Sequence, residues 1–143
     1  MLSRVLCIVG LMSALATPAF AARQFYACDV DAKRSLGWVS PKMGFVFDGK
    51  GGVQVIDGVI MHFIGKPVAA RVRAQGDTLR ITWSISGARD KAGQIIPGLG
   101  YIATLNTKTK SVSVISKSGS FPQRFTGKGT CKIRKNAKGF LRG

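Results

Sequence analysis

Between Val68 and Ile85 the chain alternates with a period of two. Val68, Ala70 and Val72 are interleaved with Ala69, Arg71 and Arg73; after Gln75-Gly76-Asp77, Leu79, Ile81, Trp83 and Ile85 are interleaved with Thr78, Arg80, Thr82 and Ser84. Successive side chains of a strand point to opposite faces, so this pattern specifies a β-hairpin with one buried and one wet face. Pairing Ala74 with Asp77 sets Val72 opposite Leu79, Ala70 opposite Ile81 and Val68 opposite Trp83. A slip of one residue would set apolar against polar along the ladder. In this register Arg71 lies directly opposite Arg80 on the outer face, and Arg73 is its diagonal neighbour.

The same period recurs along the chain. Tyr101, Ala103 and Leu105 share a face, as do Val112 and Val114, and a loop at Asn106–Thr109 sets Ala103 against Val112 and Tyr101 against Val114. Phe45-Val46-Phe47 and Val53-Gln54-Val55 flank Asp48-Gly49-Lys50-Gly51-Gly52, whose glycines permit the positive φ of tight hairpin loops. Asp57-Gly58 is expected to be a turn leading into a strand over Val59–Ile64. Gln24–Asp29 and Arg124–Ile133 read as first and last strands, the last bent at Gly127 and Gly129. About eight strands with a turn signal every 8–12 residues predict an all-β antiparallel meander, either a closed or nearly closed barrel or a sandwich. Ser86–Gly100 is a long connection with a polar half and an apolar half. Residues 136–143 read as a basic, disordered tail.

The N-terminus has a different character. Arg4 precedes an apolar run, Val5–Ala16, and Pro18 and Ala19-Phe20-Ala21 follow. A cation, a short apolar stretch and small residues at the cut are the parts of a helical secretory signal peptide. The run is too short to span a membrane, which takes about 20 residues. Residues 1–21 are therefore read as a signal peptide cleaved near Ala21/Ala22, and residues 22–135 as one exported domain, periplasmic or secreted, with no transmembrane span.

Cleavage removes Cys7 and leaves Cys28 and Cys131. In an oxidising compartment a pair at the two ends of a domain reads as a disulfide joining first and last strands. That favours the closed barrel over the sandwich. Neither cysteine sits in a CxxC, and His62 is the one imidazole, so a metal or redox pair is not expected.

The charge is strongly positive, with 22 Lys and Arg against 6 acids, a net +16 at pH 7; loss of Arg4 makes it +15. After Asp90 there are eleven basic residues and no acid. Such a surface attracts polyanions. Outside the cytoplasm these are anionic lipid headgroups, lipopolysaccharide phosphates, acidic glycans or free DNA.

Catalytic residues are not expected. The chain has no Glu, and Asp48, Asp57 and Asp77 sit beside glycines in turns, where Asp bonds locally. Asp29 and Asp31 alone are a weak calcium signal. His62 reads as a structural residue, and no cofactor or metal is indicated.

Two binding sites are suggested instead. Like charges directly opposite on a sheet repel, and a bound anion relieves that repulsion. Arg71, Arg73 and Arg80, joined by Arg89 and Lys91 from the long loop, make a candidate anion site. Facing inward, Phe45, Phe47, Trp83, Tyr101 and Ala103 can line a narrow apolar cavity, since eight-stranded barrels are either filled or hold one small ligand. Ile95-Ile96-Pro97-Gly98-Leu99 would cover its mouth.

The signal peptide, the early cysteine, the hairpin meander and the closing Gly-x-Gly-Thr-Cys (Gly127–Cys131) resemble small exported bacterial β-barrel domains of the lipocalin-like kind. The resemblance is architectural. The Gly-x-Trp of lipocalins proper is absent, because Gly37 and Trp38 are adjacent and follow Cys28. Periplasmic lysozyme inhibitors are also small disulfide-bearing barrels, but lysozyme is usually cationic and would be repelled by a +15 domain. The leading expectation is a non-catalytic exported protein that binds an anionic envelope component through its basic surface. The alternative is a small barrel carrying an apolar ligand; an enzyme or enzyme inhibitor comes third.

Overall fold

The computed structural model describes residues 23–87, 89, 92–95, 97–119 and 122–142. The expected signal peptide and its cleavage site, and Lys91, lie outside them. Among the described residues eight strands follow one another as an antiparallel meander: β1 (Arg23–Asp31), β2 (Lys42–Asp48), β3 (Val53–Asp57), β4 (Val68–Gln75), β5 (Thr78–Ile85), β6 (Leu99–Asn106), β7 (Ser111–Ser118) and β8 (Arg124–Arg134). β8 pairs with β1 and closes the barrel, as the alternation and the two cysteines predict. Cys28 stands opposite Cys131 across that seam and is disulfide-bonded to it. The inward positions form one core that includes Met43, Phe45, Phe47, Leu79, Ile81, Tyr101 and Val114.

Two registers differ from the sequence reading by one pleat. Arg73, not Arg71, faces Arg80, and Val72 faces Ile81. The turn is the two-residue Gly76-Asp77, with Gly76 at φ +59, so Gln75 pairs with Thr78. In the next hairpin Leu105 faces Val112 and Ala103 faces Val114. There Asn106 bonds the N–H groups of Lys108 and Thr109, each at 2.9 Å, and Lys110 at φ +61 completes the loop. In both cases the alternation fixes which face is buried, and the turn geometry fixes the step along it.

The strand expected over Val59–Ile64 is instead a short helix, α1 (Gly58–Phe63). Asp57 is its N-cap, accepting from Ile60 N at 2.7 Å, and Ser40 Oγ accepts from Gly58 N at 2.9 Å. Val59 and Ile60 enter the core, while His62 lies exposed against the Phe63 ring. A short apolar run reads equally as strand or helix, and the cap decides it.

Asp57 is only 1% exposed. Burial pushes its carboxyl up from 3.8 to about 6, against the Ile60 and Val59 N–H groups that favour the charged form. The folded protein thus holds this proton more tightly than the unfolded chain. Its contribution is most favourable at low pH, falls as pH rises from about 4 to 6, and is flat above. Asp57→Asn keeps a capping oxygen and removes the buried charge. The variant is expected to gain on the order of 2 kcal/mol at pH 7 and to lose this pH dependence. Urea unfolding at pH 4.5 and pH 7 measures both, and a variant weaker than the parent at pH 7 would contradict the assignment.

The C-terminal segment, expected to be disordered, folds back onto the outside of the barrel. Phe140 is buried, edge-on to Phe25 at 5.2 Å, in a small cluster with Ala27, Val46 and Ile56. Gly44 makes room for it, since a Cβ there would lie 2.6 Å from the Phe25 ring and 3.1 Å from that of Phe140. Charged and small residues dominate the tail's pattern, and Phe140 is its one aromatic anchor.

Candidate anion-binding site

β4 is the least supported wall of the barrel. It pairs with β3 only from Val68 to Ala70, while Arg71–Gln75 pairs with β5 alone. The β4–β5 hairpin therefore projects with one free strand edge. On its outer face Arg73 is opposite Arg80, and Arg71 is opposite Thr82 and diagonal to Arg80. The three arginines, with Gln75, Thr78 and Thr82, line an open groove of about 590 Å³.

No described acid neutralises this face. The ion pairs among the described residues are Lys42–Asp29 at 3.3 Å and Lys108–Asp77 at 3.8 Å. Asp77, nearest in sequence to the groove, is thus turned toward the β6–β7 loop. Asp48 is held in its own hairpin loop by the N–H groups of Lys50 and Gly52, which lower its carboxyl below the usual value. Asp31 accepts from Lys33 N.

Arg89 does not join the groove. Its Nη1 donates to Gly93 O at 2.7 Å within its own loop. That loop follows Ile85, which lies five steps along β5 from Arg80, about 17 Å of rise. Thr78 and Thr82, which add hydroxyls beside the guanidinium groups, were not singled out from sequence. They carry no motif, and only their places in the register mark them.

The inward residues meet as a packed group. Trp83 stacks on Tyr101 at 5.1 Å, and Phe45 is edge-on to Trp83 at 6.0 Å. Phe47 and Ala103 are 1% and 0% exposed. Tyr101 OH donates to Trp38 O at 2.9 Å, and burial pushes the phenol up to about 12. Of the apolar loop, Leu99 is buried as the first residue of β6 and Ile95 is 65% exposed, while Ile96 lies outside the described residues.

Comparison with known proteins yields no relative, for no family model, curated protein or solved structure matches the chain.

Proposed function

We propose that this is an exported, non-catalytic protein that binds an anionic envelope component through the basic face of the β4–β5 hairpin. The shared chemistry of its partners is a phosphate, sulfate or carboxylate group, on a lipid headgroup, lipopolysaccharide or acidic glycan. The observation that carries the reading is Arg73 facing Arg80, with Arg71 diagonal, and no described acid in the groove. Two guanidinium groups opposite each other cost up to about 1 kcal/mol in the free protein. An oxyanion bound between them removes that cost and takes bidentate hydrogen bonds. The disulfide fits an oxidising compartment, and none of the described helices is long and apolar enough to cross a membrane. The apolar-carrier alternative has less support, because Phe45, Trp83 and Tyr101 already pack on one another inside the barrel.

Arg71 and Arg73 have a second use, since cations on a free strand edge discourage edge-to-edge pairing. Arg80 does not share it, because β5 is paired on both sides. Arg80→Ser is therefore the cleaner test. It is expected to raise thermal stability slightly, to weaken heparin binding about tenfold, and to flatten the salt dependence of that binding. Unchanged affinity and salt slope would remove the groove from the function.

A further inference from the structure

The barrel has two unlike ends. At one, the strands turn tightly through residues 49–52, 76–77 and 107–110. At the other, residues 32–41, 58–67, 86–98 and 119–123 make the connections. The large hydrophobic residues exposed among those described are Leu36, Met61, Ile95 and Ile133. Three of the four, at 78%, 36% and 65% exposure, lie in the connections of this second end. Leu36 and Pro97 line one apolar cleft of about 270 Å³ with Trp38 and Phe125, and Trp38 stacks on Phe63 of α1 at 6.3 Å.

Leu36 is the sharpest of these observations. Its φ is +51, a left-handed conformation that side chains other than glycine rarely adopt. Strain of this kind persists where the surroundings hold it, and it clusters at functional sites. Here it holds a leucine in solvent, where the side chain adds nothing to the core.

Cations outnumber acids on the rim of the same end. Lys33 and Arg34 precede Leu36, Lys66 follows α1, and Arg89 is bridged to Ile95, against exposed Asp31 at the end of β1. An apolar tip with a net cationic rim is complementary to one kind of surface: a bilayer with anionic headgroups and an apolar interior. The barrel wall does not suit immersion, since Arg71, Arg73, Arg80 and Lys128 point outward from it.

We infer that the long-loop end of the barrel docks on anionic lipid bilayers, inserting Leu36, Met61 and Ile95 between headgroups that Lys33, Arg34, Lys66 and Arg89 contact. This docking uses residues separate from the arginine groove, which lies toward the tight-turn end and stays open to solution. Heparin affinity reads the groove and acyl-chain quenching of Trp38 reads the docking, so the two can fail separately.

Trp38 supplies the signal, because the other tryptophan, Trp83, is 4% exposed and sealed in the core. The protein is mixed with vesicles of equal phosphatidylglycerol and phosphatidylcholine, with bromine on the acyl chains. Quenching of tryptophan emission is expected, with little on phosphatidylcholine alone. The Leu36→Gly, Ile95→Ser double variant is expected to bind these vesicles at least tenfold more weakly, with an unfolding temperature no lower than the parent's and unchanged heparin affinity. Arg80→Ser is expected to keep the quenching. Absence of quenching in the parent protein, equal binding to uncharged vesicles, or undiminished binding by the double variant would each overturn the proposal.

Discussion

Replacing Gly129 with alanine is expected to destabilise the barrel by about 3 kcal/mol or more, the upper range for forcing extra atoms into a packed site. Gly129 lies on β8 opposite Val30 of β1, in the strand pair that closes the barrel. A Cβ at this position would lie 1.8 Å from Asp29 O, 2.7 Å from Asp29 C and 2.8 Å from Val30 Cα. All three atoms are backbone, so no rotamer change relieves the overlap; the seam itself must open. Gly127 is tight for a partly different reason. Its nearest contact is the Val30 Cγ1 methyl at 2.6 Å, which can rotate, although Asp31 O at 3.0 Å cannot. Gly127→Ala is accordingly the milder change. Gly98 serves as control, because nothing lies within 4 Å of its Cβ position and its φ is not in the left-handed region. Urea unfolding of the two alanine variants decides the matter. If Gly129→Ala is as stable as Gly98→Ala, the close approach of β1 and β8 does not constrain the fold.

Loss of the Cys28–Cys131 disulfide is expected to have a comparable effect. The bond spans 103 residues of sequence. In the chain-entropy account a loop of that size is worth up to about 4.7 kcal/mol, and losing a native disulfide from a small domain costs about 2–5 kcal/mol. For a domain of this length that corresponds to a fall in unfolding temperature on the order of 10 °C. The seam it crosses is hydrogen-bonded from Phe25 to Asp31, so the reduced protein should still be able to form the barrel. Thermal unfolding with and without a thiol reductant, followed by far-ultraviolet dichroism, gives the comparison. An unchanged midpoint after complete reduction would show that the strand pairing alone sets the closure. Because Cys131 lies two residues from Gly129 on the same strand, the two perturbations should not add.

Much of this fold is written in local pattern. Val68–Val72 and Leu79–Ile85 announce their inward and outward faces through alternation, and every predicted inward residue of β5 is buried. The arginine cluster was legible to the same extent. Arg71, Arg73 and Arg80 share a face in any register of correct parity, so their convergence followed from alternation alone. Which pair stands opposite did not, because Gly76-Asp77 accommodates its turn one pleat away from the simplest pairing. The inclusion of Arg89 failed because a loop beyond the far end of a strand is adjacent in sequence but not in space. Val59–Ile64 misled because six mainly apolar residues satisfy both periods, and the decision belongs to Asp57 and Ser40, the second of which is 18 residues away from the amide it accepts.

From its sequence alone the chain is determined to be an all-β meander with an apolar inside, a cationic outside and a cysteine near each end of the β domain. These are properties of parity and composition, which each segment carries by itself. The tertiary structure alone decides that Phe140 returns to cover Phe25, and that Leu36, Met61 and Ile95 lie at one end. Those outcomes depend on contacts between residues far apart in the chain, which exist only once β8 has met β1. Closure turns four separate loops into one surface.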